Sequence, residues 1–124
     1  MKQILLVEDD ALYSKILSYI LENSGFTVEC ASNGVQAMQM VDKKQYDLIV
    51  TDLTMPYASG FDLLSKIKNE TGKKAIKVIV VSIHSNEYYM SESFARGADD
   101  YLKKPVTAKD HVQSVRRLLY SNAA

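Results

Sequence analysis

Four groups of polar side chains close short apolar runs in this chain. Glu8-Asp9-Asp10 follows Ile4 to Val7, Thr51-Asp52 ends the run from Asp47, Ser82 ends the run from Lys77, and Lys103-Lys104-Pro105 lies just beyond Asp99 to Leu102. Carboxylates brought together from the first and third runs repel one another in a partly dry cleft, and a divalent cation removes that cost. Every candidate ligand is an oxygen, with no His or Cys nearby in sequence, so a hard ion such as Mg²⁺ suits the set better than zinc. Asp9 and Asp52 are expected as direct carboxylate ligands, Glu8 as a ligand through water, and the backbone carbonyl of Thr54 as a further oxygen. The Ser82 hydroxyl and the Lys104 ammonium would present donors to anionic oxygens beside the cation. Together these groups suit phosphoryl transfer: Asp52 attacks phosphorus in line, charge on the non-bridging oxygens is neutralised by Ser82, Lys104 and the cation, and the product is an aspartyl phosphate.

Such chemistry requires distant segments to converge. Runs at Ile4 to Val7, Phe26 to Ala31, Asp47 to Thr51, Lys77 to Ser82 and Asp99 to Leu102 are rich in Val, Ile, Leu and Tyr and predict five strands. Between them, apolar residues recur three or four apart: Leu12, Ile16, Tyr19, Ile20; Val35, Met38, Val41; Phe61, Leu64, Ile67; Met90, Phe94; and Val112, Val115, Leu118, Leu119. These predict five helices. Gly25, Gly34, Gly60, Gly72 and Gly97 fall at or near element ends, where a positive φ is easily adopted. Strict alternation of strand and helix calls for a doubly wound α/β fold, with parallel strands joined by right-handed crossovers and helices on both faces of one sheet. The near-continuous apolar character of Ile4 to Val7 and Val78 to Val81 fits burial on both faces. Ligands of such sheets bind at the C-terminal rim, where the four polar groups stand.

A chain of 124 residues, 47% hydrophobic, is enough for one core, so a single domain over 1–124 is expected. Lys plus Arg equals Asp plus Glu at 15 each, which offers no attraction to nucleic acid or to an anionic membrane. No apolar run approaches the ~20 residues that span a bilayer, and the N-terminus lacks a signal-peptide pattern. The sole cysteine, Cys30, excludes an intramolecular disulfide and fits a reducing, cytoplasmic compartment. Its setting in Val28-Glu29-Cys30-Ala31 suggests a small buried thiol on a strand.

The segments Ile4-Leu5-Leu6-Val7-Glu8-Asp9-Asp10, Asp47 to Pro56, Val78-Ile79-Val80-Val81-Ser82, Gly97-Ala98-Asp99-Asp100-Tyr101 and Lys103-Lys104-Pro105 resemble, in order and over essentially the entire chain, the motifs of two-component receiver domains. The resemblance implies a flavodoxin-like strand order, 2-1-3-4-5, and a phosphoryl donor that is a phosphohistidine on a histidine kinase or phosphotransfer protein. It places the family's acid pair on Glu8 and Asp9, its acceptor on Asp52, its switch hydroxyl on Ser82, its switch aromatic on Tyr101 and its lysine on Lys104. It further implies a cis bond from Lys104 to Pro105 that helps to aim Lys104 inward. On phosphorylation, Ser82 is expected to move toward the phosphoryl oxygens and let Tyr101 rotate inward, altering the face made by the fourth helix, fifth strand and fifth helix for a downstream protein. The family often has a small residue after the switch hydroxyl, whereas Ile83 and His84 stand here, so narrowed access to the phosphoryl group is expected.

Plainer readings stand beside these. Asp10 is expected to cap the first helix, Lys103 to point into solvent, and Met38, Met40 and Met55 to pack. His84 and His111 are expected exposed or partly buried, without ligand function. Arg116 and Arg117 read as a solvated helix face, and Tyr88 and Tyr89 as ordinary packing. A haloacid-dehalogenase-type phosphatase would need an acid where Thr54 stands, and also a substrate lid. A flavodoxin-like electron carrier would need a phosphate loop where Glu8-Asp9-Asp10 repels phosphate. The expectation is therefore a signalling module, not a turnover enzyme, with a phosphorylation-independent interaction module as the alternative. No output domain is expected within 1–124, as a stand-alone regulator or as part of a longer one, and either a monomer or a phosphorylation-dependent dimer is compatible.

Overall fold

The structure is a computed structural model that describes residues 1–55, 59–70 and 75–120, so Pro56 and Gly72 lie outside the described residues. Strands β1 (Gln3–Val7), β2 (Thr27–Ala31), β3 (Leu48–Asp52), β4 (Lys77–Ser82) and β5 (Asp100–Lys103) alternate with helices α1 (Ala11–Asn23), α2 (Gly34–Lys43), α3 (Gly60–Asn69), α4 (Glu87–Ala95) and α5 (Ala108–Tyr120). All neighbouring strands are parallel, in the order β2-β1-β3-β4-β5. The expected architecture and strand order are both present.

Capping chemistry sets the helix starts. The Asp10 carboxylate accepts from the N–H groups of Leu12 and Tyr13 at 3.0 and 3.1 Å, as expected of a cap. Asn33 and Asn86 cap α2 and α4 in the same way, and Ser59 with Asp62 forms a capping box at α3. Gly25 and Gly97 adopt positive φ, whereas Gly34 and Gly60 instead open helices α2 and α3.

The period of two along each strand sends alternate residues to opposite faces. Leu5, Val7, Ile49, Val78 and Val80 pack under Ala37, Val41, Leu63, Leu64 and Ile67 of α2 and α3. Ile4, Leu6, Leu48, Val50, Ile79 and Val81 pack under Leu17, Leu21 and Val115 of α1 and α5. Each fully buried aliphatic side chain contributes about 2 kcal/mol. Both faces of the central strands are thus dry, which accounts for their unbroken apolar runs.

The structure departs from the sequence reading at several places. Val35 of the α2 stripe and both Met90 and Phe94 of the α4 stripe are exposed, and the residue that α4 buries is Ser93. Leu12, Ile16 and Tyr19, whose spacing marks α1, are exposed, and the buried stripe is Ser14, Leu17 and Leu21. Cys30 is exposed, because β2 is an edge strand; its Sγ lies 2.9 Å from Ser18 Oγ on α1. His111 is 2% exposed, set inward with Ser114 and Val115 on α5. Met38, Met40 and Met55 pack against the core as expected, and Lys103 is exposed.

Burial disfavours the imidazolium and lowers the His111 pKa to about 4; Asp110 opposes the shift and Lys104 adds to it, while the Tyr13 hydroxyl faces the ring. The unfolded chain takes up this proton below about pH 6.5, the folded chain only below about 4. The contribution to stability is therefore fully present above pH 6.5 and is lost as pH falls through 4, a change of about 3 kcal/mol. Urea midpoints measured between pH 7 and 4 are expected to fall more steeply for wild type than for His111→Leu. Equal slopes would show that His111 titrates normally.

Candidate functional site

The parallel register brings four strand ends to one level. Val7 pairs with Thr51, Asp52 with Val81, and Ser82 with Lys103. Two backbone bonds extend the alignment past the strands: Glu8 N–H donates to the Ala31 carbonyl at 3.0 Å, and Lys104 N–H to the Ser82 carbonyl at 2.7 Å. Residues nearly a hundred positions apart therefore meet on the C-terminal rim.

Lys104 stands at the centre. Its Nζ donates to Glu8 Oε1 in a short contact and to Asp52 Oδ2 at 3.1 Å. The second oxygen of Glu8 accepts from Asp9 N–H at 3.1 Å, and Asp52 Oδ1 accepts from Thr54 N–H at 3.3 Å. Glu8, Asp9 and Asp52 each bring a carboxylate oxygen within 4.8 Å of the others. The donor set is all oxygen, and three carboxylates facing one lysine leave an excess of negative charge, so these residues fit a hard divalent cation. The bond from Lys104 to Pro105 is cis, as the family resemblance implied.

Burial, with repulsion from the neighbouring Asp52 added to it, outweighs the pull of Lys104 and pushes Glu8 up to about 7. Burial disfavours the charge on Lys104, yet hydrogen bonds and attraction from Glu8 and Asp52 outweigh it and hold its pKa above the usual lysine value. The lysine thus remains an ammonium beside the acids.

Ser82 is fully buried, and its Oγ accepts from His84 N–H at 3.1 Å. Tyr101 is buried too, and its hydroxyl donates to the His84 carbonyl at 2.7 Å. The inward position expected of Tyr101 after phosphorylation is therefore the one its ring occupies here, where the His84 carbonyl already supplies an acceptor. Ile83 points to solvent, while the half-buried His84 ring lies 3.3 Å from Thr54 Oγ1 and stacks on Tyr89 at 3.9 Å. His84 thus links the hydroxyl, the aromatic and the loop after Asp52, a junction that the sequence reading missed. The only signal was the bulky pair after Ser82. Tyr88 is exposed and packs edge-on against Tyr89.

The strand order is that of flavodoxin-like α/β signalling domains. The family model for the response regulator receiver domain matches residues 4–116, and the chain belongs to that family. Among curated relatives, it is 32% identical over 117 residues to the transcriptional regulatory protein ResD of Bacillus subtilis, covering 94% of this chain and 48% of ResD. It is 36% identical over 106 residues to the two-component response regulator-like protein APRR7 of Arabidopsis thaliana, covering 84% of this chain and 15% of that one. Across the first eight curated relatives the chain spans between 6% and 57% of their length. Among solved structures, the signal receiver domain of a histidine kinase from Syntrophus aciditrophicus superimposes with a TM-score of 0.90 at 33% identity, covering 96% of this chain and 90% of that one. The response regulator TrrA of Thermotoga maritima, solved with Mg²⁺ and BeF, gives 0.85 at 30% identity, covering 96% of this chain and all of TrrA. Receiver domains are signalling modules of two-component systems, and the chain's membership of the family is consistent with phosphorelay signalling. No helix among the described residues is long and apolar enough to cross a membrane.

Proposed function

We propose that this chain accepts a phosphoryl group on Asp52 from a phosphohistidine of a histidine kinase or phosphotransfer protein, and alters a partner-binding face in response. The observation that carries this reading is the position of Lys104 Nζ, 3.1 Å from Asp52 Oδ2 and in contact with Glu8, within a cluster of three carboxylates. An Asp52 oxygen attacks phosphorus, the new O–P bond forms as the N–P bond to the donor imidazole breaks, and the imidazole leaves with a proton from solvent. Lys104 and Ser82 donate to the non-bridging oxygens, stabilising charge where it gathers. Asp9, Asp52 and the Thr54 carbonyl would hold Mg²⁺ directly; Glu8, with both oxygens already hydrogen-bonded, would act through water. When bound, the ion supplies charge neutralisation at the phosphoryl oxygens.

The response follows from the Ser82 hydroxyl. Turning toward a phosphoryl oxygen, it gives up the His84 N–H, and the same residue's carbonyl is the acceptor for Tyr101. Because Tyr101 is already inward, phosphorylation acts by shifting the population of the segment around His84 rather than by first moving the ring. On this reading the chain is a cytoplasmic receiver module that is modified and does not turn over substrate.

Intact mass measured after incubation with acetyl phosphate or phosphoramidate tests the reading. Wild type is expected to gain one phosphoryl group with Mg²⁺ and to lose at least about 90% of that labelling with a chelator, as neutralisation by a divalent ion is worth several kcal/mol. Full labelling in chelator would remove the metal role. No labelling under any condition would favour a phosphorylation-independent interaction module.

A further inference from the structure

Lys104 Nζ lies 4.6 Å from the centroid of the Tyr13 ring, so the ammonium that reaches Asp52 also rests on an aromatic face supplied by α1. The Tyr13 hydroxyl is 3.0 Å from Nε2 of His111 on α5, and the two rings meet edge-on. His111 Nδ1 is buried without a hydrogen-bond partner among the described residues. A leucine would fill similar space without burying an unpaired nitrogen, so packing alone does not account for an imidazole here. Burial pushes the Tyr13 phenol up, which keeps it protonated and able to donate. A phenol that donates to imidazole carries more electron density on its ring, and a cation over that face is held more firmly.

We propose that Tyr13 and His111 are positioning residues for Lys104: the His111 Nε2 accepts from the Tyr13 hydroxyl, and the ring so fixed holds the ammonium over the Asp52 rim. The consequence for phosphoryl uptake rests on the reading of Asp52 as acceptor, but the arrangement itself does not. Two helices that supply none of the reacting groups, α1 and α5, thereby set the aim of the lysine. Both lie on the sheet face opposite α2 and α3.

The test has two arms. In the first, uptake from phosphoramidate with Mg²⁺ is timed for Tyr13→Leu, Tyr13→Phe, His111→Leu and the double variant Tyr13→Phe/His111→Leu, with urea midpoints recorded for each. Loss of the ring in Tyr13→Leu is expected to slow uptake on the order of tenfold. Tyr13→Phe keeps the ring and is expected to stay within about threefold of wild type, with His111→Leu matching it and the double variant no slower than either. In the second arm, NMR of the unmodified protein is expected to show the Lys104 methylene next to Nζ shifted by the ring current in wild type and Tyr13→Phe, but not in Tyr13→Leu. Wild-type speed in Tyr13→Leu, or equal slowing in Tyr13→Phe and Tyr13→Leu, would overturn the proposal. So would a Lys104 methylene without a ring-current shift in wild type. If wild type takes up no phosphoryl group, the acceptor reading fails, and the NMR arm alone decides whether the ring holds the lysine.

Discussion

Replacing Asp52 with asparagine is expected to reduce phosphoryl uptake by at least about a thousandfold while leaving the protein folded. The amide has the shape of the carboxylate, but its oxygen is a poor nucleophile and it carries no charge to attract a cation. The fold has little to lose. Lys104 keeps its contact with Glu8 when its second acceptor, Asp52 Oδ2, becomes neutral, and the repulsion that helps push Glu8 up disappears. A urea midpoint equal to or slightly above wild type is therefore expected, alongside a mass that does not change on incubation with the donor and Mg²⁺. Full labelling of Asp52→Asn would move the acceptor elsewhere on the chain.

The second large effect is expected from Gly60→Ala. A Cβ at Gly60 would lie 2.2 Å from the Asp52 carbonyl oxygen and 2.8 Å from the Leu53 Cα. Both are backbone atoms of the segment that carries Asp52, so no side chain can swing aside. Gly60 N–H also donates to the Leu53 carbonyl at 2.9 Å, tying the start of α3 to that segment. The helix must then retreat or the Asp52 backbone must move, at a cost of about 3 kcal/mol, of which better helix propensity returns at most about 1. Because the displaced backbone holds Asp52, uptake should slow along with the fall in urea midpoint. Gly25→Ala provides the contrast: its φ is +97° but no atom lies within 4 Å, so about 1 kcal/mol is expected and uptake should not change. Equal losses at the two positions would mean that steric contact at Gly60 is not the cause.

The placement of Glu8, Asp52, Ser82 and Lys104 could be read from the sequence because each either ends a strand or directly follows one. Once β1, β3, β4 and β5 lie parallel, Glu8, Asp52, Ser82 and Lys104 must share one rim, and recognising the strands is nearly equivalent to placing the groups. Asp9 comes with Glu8 as the next residue, and Thr54 comes with Asp52 two residues on. His84 did not yield to the same reasoning. Its part is played by its backbone N–H and carbonyl as much as by its ring, and main-chain groups carry no signature in the residue name.

The chain by itself determined the alternation of strand and helix, the doubly burying runs at the centre of the sheet, the cap at Asp10 and the residue types that gather at the rim. These are properties of short segments, whose period and residue types are local. Only the tertiary structure decided which side of α1 turns inward, since Leu12, Ile16 and Tyr19 form a stripe as regular as that of Leu17 and Leu21, and what lies beneath the helix makes the choice. It likewise exposed Cys30 at the edge strand, buried His111 against Tyr13 and set Tyr101 on the His84 carbonyl. In each case the outcome depends on a neighbour from a distant part of the chain, and periodicity along one segment does not specify that partner.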